Sequence, residues 1–206
     1  MLRIEQLSKT YGKNKALDSV SFEVGKGELF GFLGPNGAGK TTAIKILTGL
    51  AVADSGRALL NGTDMLRMDV VTRRRVGVVH QHVNMDNDLT AWENLDNHGR
   101  FYGMGRERRL RRIAEMLEFA ELTDRAHQQI KNFSGGMKRR LMIGRALLHE
   151  PELLFLDEPT VGLDPAIRRR VWSLIKTAQS RGTTLFLTTH YIEEAEFLCE
   201  RVAFID

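Results

Sequence analysis

The feature that most constrains this chain is GPNGAGKT, Gly34 to Thr41, because it stands between an apolar segment, ELFGFLG, and a helix-forming one, TTAIKILTGL. Glycines there let the backbone turn tightly, so that successive N–H groups converge on phosphate oxygens, and the dipole of the following helix adds to the attraction. The pattern marks Gly34, Pro35, Asn36, Gly37, Ala38, Gly39, Lys40, Thr41 and Thr42 as nucleotide-binding candidates. Lys40 is expected to reach the β- and γ-phosphates, and the Thr41 hydroxyl to coordinate Mg2+. A glycine-rich turn with no ligand is the plainer alternative.

The rest of the chain alternates short apolar runs with helical patterns. VSFEV and ELFGFLG read as strands around the Gly-Lys-Gly turn at 25–27, DSGRALLNG as a strand pair, and RRVGVVHQ as a further strand. Beyond Gln81, Thr90 and Glu93 have capping-box spacing, and helical periodicity dominates to about residue 130. A helix is expected from Ser134 to His149, a buried strand in LLFLDE, a helix over 165–180 and a last buried strand in TTLFLTTH. This order predicts an α/β fold with a P-loop NTPase core and a mostly parallel sheet. An antiparallel β subdomain and a helical insertion at about 82–132 complete one domain, whose core is 1–81 and 133–206.

With 206 residues, 42% of them hydrophobic, and 4 prolines, the chain can bury one core. No apolar run approaches the roughly 18 residues of a membrane span, and MLRIEQLSKTYG lacks the apolar centre of a signal peptide. A cytosolic protein with no direct membrane span is therefore expected. Cys199 is the one cysteine, so no internal disulfide forms, and it reads as a packing residue. The net charge of +4 comes with arginine runs at 73–75, 106–112, 138–140 and 168–170. These could hold nucleic acid or anionic lipid. In the second run, Leu110, Ile113, Leu117 and Ala120 share a helical face, which would leave the arginines in solvent and makes nucleic acid a poor candidate partner.

Two carboxylates end the apolar run LLFLDEP and should lie at the sheet's C-terminal edge, where open α/β folds bind ligands. Asp157 is then a Mg2+ ligand and Glu158 the general base that orients water for attack on a γ-phosphate. The competing view is that both only cap the next turn. NFSGGMKRRL brings a second glycine pair: Ser134, Gly135 and Gly136 expose a helix N-terminus with little side chain in the way, another anion site. A serine cap on a closely packed helix explains the same residues without a ligand.

The phosphate loop, HQ after a strand, SGGM at a helix start, LLFLDEP, GLDP and a strand ending in histidine follow one another as in the nucleotide-binding domain of ABC transporters, which the whole chain resembles. The resemblance implies ATP and Mg2+ as cofactors and head-to-tail homodimerisation on ATP binding. The Ser134–Gly136 segment of one copy would close over the γ-phosphate held by the other. It implies that Tyr11 stacks on adenine, that Gln81 meets Mg2+ and the attacking water, that His190 contacts the γ-phosphate, and that Asp164 crosses the dimer interface. Read alone, Tyr11 would be ordinary packing, His190 a polar cap and Asp164 a helix cap. Separate transmembrane permease subunits are the implied partners, docking near Gln81 and the helical insertion at the cytoplasmic face of the inner membrane.

Met137 stands where the family usually has glutamine, yet SGGMKRRL, TVGLDP and TTHYIEEAE resemble the branch of bacterial drug, antibiotic and polysaccharide exporters. His80 replaces a common proline, and His80 with His82 lacks the further ligands of a metal site. The chain stops at RVAFID, where relatives usually continue, which reads as a truncated end. The expected activity is ATP hydrolysis that powers an exporter. A soluble ABC ATPase acting on nucleic acid or ribosomes is the alternative, with a non-hydrolysing regulatory module behind it. A GTPase is disfavoured because NKAL at 14–17 lacks the acid of a guanine-reading motif.

Overall fold

A computed structural model describes residues 1–67 and 69–206. Strands β1 (Leu2–Tyr11), β2 (Asn14–Val24), β4 (Ser55–Leu60) and β5 (Thr63–Asp64) form an antiparallel sheet in the order β2-β1-β4-β5. Its β4–β5 hairpin turns on Asn61 and Gly62, both with positive φ, the two-residue geometry for which Asn-Gly is the preferred sequence. Strands β3 (Leu29–Leu33), β6 (Val76–Val79), β7 (Leu153–Asp157), β8 (Thr184–Thr189) and β9 (Arg201–Phe204) form the second sheet, ordered β6-β7-β8-β3-β9, in which every pair is parallel.

Among the described residues seven helices connect these strands: α1 (Lys40–Leu47), α2 (Val70–Arg74), α3 (Ala91–Phe101), α4 (Arg106–Phe119), α5 (Gly135–Leu147), α6 (Pro165–Ser180) and α7 (Ile192–Leu198). Two 3-10 turns, Thr123–Arg125 and Ile130–Asn132, join α4 to α5. The capping box at Thr90 forms: its hydroxyl accepts from the Glu93 amide and the Glu93 carboxylate accepts from the Thr90 amide. Among the described residues no helix is long and apolar enough to cross a membrane.

The three central strands of the parallel sheet, β7, β8 and β3, are buried on both faces, as is usual for such sheets. Leu154, Leu156, Leu185 and Leu187 face a cluster that continues through α5 and α6 into Leu95, Ile113, Met116 and Leu117 of the helical segment. Phe155 and Phe186, offset by one residue, face α1 and the antiparallel sheet. Phe22 of β2 seals this second side, with ring centroids 5.3 Å from Phe30 and 5.6 Å from Phe186.

Helix α4 corrects one expectation. Ile113, Leu117 and Ala120 are buried, but Leu110 is 39% exposed and Arg109 is buried in its place. Arg109 donates to Asp96 at 2.6 Å and to the Met104 carbonyl at 2.9 Å, and Arg112 reaches the Leu147 and Leu148 carbonyls at 2.8 and 3.2 Å. A buried acid and helix-end carbonyls thus supply partners that an apolar-face pattern does not register.

Candidate functional site

The strand order decides which loops meet. β6, β7, β8 and β3 are consecutive neighbours and all parallel, so the segments leaving their C-terminal ends share one sheet edge. Gln81 lies two residues beyond β6, Asp157 ends β7 with Glu158 next, His190 follows β8, and the loop 34–39 follows β3. A cleft of about 370 Å3 opens there, lined among others by Tyr11, Asn36, Gly37, Gly39, Lys40, Thr41, Thr42, Gln81 and Glu158.

Gly39 caps α1 at φ 100°, and a Cβ on it would sit 2.1 Å from the Ala16 carbonyl oxygen, so the turn into the helix requires glycine. Lys40 curls inside this turn, its Nζ 2.8 Å from the Gly34 carbonyl and 2.9 Å from the Pro35 carbonyl. The same ammonium lies 3.3 Å from Glu158 Oε1.

Glu158 is the centre of the arrangement. It is 6% exposed and its backbone has φ 46°, a conformation that side chains rarely adopt and that recurs at functional sites. Thr188 holds it there: the Glu158 amide donates to the Thr188 carbonyl at 3.0 Å and faces its hydroxyl at 3.2 Å. Around its carboxylate stand Lys40, His190 Nδ1 at 3.3 Å and Gln81 Nε2 at 3.4 Å.

Asp157 Oδ1 accepts from the Thr188 hydroxyl at 2.7 Å and faces the Thr41 hydroxyl at 3.4 Å. This all-oxygen donor set fits a small hard cation, since adjacent ligands on Mg2+ lie about 3 Å apart. Thr188 was not foreseen as a site residue; threonines closing the apolar run TTLFLTT were the available signal.

Tyr11 is 49% exposed at the cleft's rim, with Lys9 Nζ 5.3 Å from its ring centroid. Ser134, Gly135, Gly136 and Asp164 do not line this cleft. The Ser134 hydroxyl caps α5 by accepting from the Met137 amide, and Asp164 caps α6 by accepting from the Ala166 and Ile167 amides at 3.1 and 3.0 Å. The two glycines differ. A Cβ on Gly136 would meet Ile167 at 2.5 Å, a packing reason for glycine, whereas one on Gly135 meets nothing nearer than 3.9 Å. The backbone at Gly135 is therefore open to an approaching group.

A profile of the ABC transporter family matches residues 17–161. The chain belongs to the ABC transporter family. It is 45% identical over 206 residues to the linearmycin resistance ATP-binding protein LnrL of Bacillus subtilis, covering all of this chain and 66% of that protein. The Nod factor export ATP-binding protein I of Paraburkholderia xenovorans is 45% identical over 205 residues, 100% of this chain and 67% of that one. The chain thus spans about two thirds of the length of these curated relatives. A dimeric ATP-binding cassette of the family, solved in a post-hydrolysis state with ADP and Pi, superposes with a TM-score of 0.88 at 30% identity, covering 100% of this chain and 94% of that one.

A second groove lies between the end of α1, α2 and the end of α3. It is lined by Leu50, Val70, Val78, Phe101 and Tyr102 with Arg73 and Arg74 beside them, and Phe101 is 86% exposed.

Proposed function

We propose that this chain binds Mg-ATP in the Lys40 cleft and hydrolyses it, and that two copies close head to tail around two nucleotides to drive an exporter. The observation that carries this reading is Glu158, a buried carboxylate held in a left-handed backbone conformation among Lys40, Gln81 and His190. A carboxylate of that kind is built to orient and deprotonate a water.

In the mechanism, Tyr11 stacks on the base and the 34–42 backbone takes the phosphates. Lys40 leaves the Gly34 and Pro35 carbonyls for the β- and γ-phosphates, which frees Glu158 Oε1. Glu158 aligns the attacking water with the γ-phosphate and accepts its proton, Gln81 holds the same water, and His190 contacts the γ-phosphate. Thr41, Asp157 and Gln81 would hold Mg2+, which neutralises phosphate charge when bound.

Ser134, Gly135 and Gly136 lie off the chain's own cleft, which supports their serving a second copy's γ-phosphate, with Asp164 crossing the interface between copies. The groove around Phe101 suits an amphipathic helix from a separate permease subunit, docked at the cytoplasmic face of the inner membrane. The relatives named for linearmycin resistance and Nod factor export support transport outward. Nucleic acid is disfavoured because Arg109, Arg139 and Arg140, drawn from two of the basic runs, are buried.

The test is phosphate release from Mg-ATP by the wild type and by Glu158→Gln, with the solution mass of the variant followed by light scattering. Turnover in the wild type, its loss in the variant and an ATP-dependent doubling of mass support the proposal. A monomer that binds ATP without release or dimerisation overturns it.

A further inference from the structure

Helix α5 grips the segment that carries Gln81. Arg139, in its second turn and 5% exposed, donates one guanidinium nitrogen to the His80 carbonyl at 2.7 Å and another to the Gln81 carbonyl at 2.7 Å. Arg145 donates to the Asn84 carbonyl at 2.9 Å and to the Asn84 side chain, and Lys138 reaches Asn87 Oδ1 at 3.3 Å. Three cations from one helix therefore hold residues 80–87.

Arg139 is the informative one. Taking a guanidinium out of water is costly unless its donors are satisfied: burial pulls Arg139 below the usual arginine range against the opposing charges of Glu194 and Asp157, and two main-chain carbonyls take its donors. Backbone carbonyls are a rigid attachment: they fix the path of the chain at Gln81 and leave its side chain free to face Glu158. The same helix begins at Ser134, Gly135 and Gly136.

We propose that Arg139 is a positioning residue that makes the N-terminus of α5 and the backbone of Gln81 one mechanical unit, so that a nucleotide held by a second copy, on engaging α5, locks Gln81 in its place beside Glu158 in this copy's own site. The inference rests on the composite-site reading above. It makes the two sites of a dimer sense each other, and such coupling is reciprocal for binding.

Arg139→Met keeps the apolar stem and removes both donors, Arg139→Gln keeps one short neutral donor, and Arg139→Lys keeps the charge. Turnover is measured against ATP concentration for each, with dimer mass followed in a Glu158→Gln background. The expected result for Met and Gln is a kcat about 10- to 100-fold lower, the cost of a misplaced catalytic group. KM for ATP should stay within about twofold, since the phosphate loop is untouched. The Hill coefficient should fall to about 1, with dimerisation retained and Lys recovering part of the rate. Unchanged kcat and cooperativity in both variants overturn the proposal. So does a joint loss of kcat, ATP affinity and dimer, which would make Arg139 merely structural. Should the Met variant not fold, the Gln variant decides on the same criteria. A wild type without turnover fails the functional reading itself, a result visible before any variant is made.

Discussion

Lys40 Nζ lies 3.3 Å from Glu158 Oε1, with both side chains withdrawn from water. The cation proposed for phosphate and the carboxylate proposed for water are thus partnered with each other, and on that reading a bound triphosphate separates them. Lys40→Met should weaken ATP binding about 10- to 100-fold, the worth of a hydrogen bond to a charged group, measured by calorimetry. Glu158→Gln should leave binding intact and slow phosphate release by about 100- to 10,000-fold.

Glycines in the phosphate loop are not equivalent. A Cβ on Gly39 meets the Ala16 carbonyl at 2.1 Å, whereas one on Gly37 meets nothing within 4 Å, although both have positive φ. Gly37→Ala should cost about 1 kcal/mol of stability, the backbone penalty alone. Gly39→Ala adds a steric clash and should cost about 3 kcal/mol or more. Urea unfolding of the two variants compares them directly.

Two histidines make stability depend on pH. Burial drives His98 down to about 3 and His149 down to about 4. His149 stacks on Tyr102 with ring centroids 3.8 Å apart and hydrogen-bonds the Val76 carbonyl through Nε2. Both are neutral when folded, whereas the unfolded chain takes up protons below pH about 6.5. Their contribution is fully present above that pH and is lost as pH falls towards the folded values. By pH 5 the loss should be about 2 kcal/mol for each histidine. His149→Gln should flatten the urea midpoint between pH 7 and pH 5 relative to the wild type, and an equally steep decline would exclude this origin.

The Arg109–Asp96 pair is buried on both sides, at 2.6 Å. Burial alone would raise the Asp96 carboxyl, but hydrogen bonds from Arg109 and Arg100 outweigh it and hold it below the usual carboxylate range. Arg109→Met and Asp96→Asn should each destabilise by about 3 kcal/mol, because each strands the other group in the interior. The double variant should cost less than the sum, and thermal unfolding of the four proteins measures the coupling.

Reading the chain in order found the elements whose signals are local. The Thr90–Glu93 box, the Asn61–Gly62 hairpin, Pro165 opening α6 and the strand–loop–helix at Gly34 each carry their own chemistry. Strand β1 escaped because LRIEQLSKTY is polar on its exposed positions and its register is broken by irregularities against β2. Helix α2, five residues long, is too short to show a period. The long-range partners were not legible at all: Thr188 beneath Asp157, Arg139 on the Gln81 backbone and Asp96 beneath Arg109 depend on strand order and helix packing. The arginine run at 106–112 reads as solvent-facing because charge is visible in a sequence and a buried carbonyl is not.

The Phe22 stack has a consequence for which ligands the cleft accepts. Through Phe30 and Phe32, Phe22 ties strand β2 to strand β3, from which the phosphate loop emerges, and Tyr11 is paired with Asn14 at the other end of β2. The ring proposed for the base and the amides proposed for the phosphates therefore belong to one stiff piece, with their spacing set before any ligand arrives. Such a piece works as a ruler. With the base and phosphates placed as proposed, it would discriminate by the distance from a flat ring to a terminal phosphate, and because a ring face meets every base alike, it would count phosphates more strictly than it reads bases.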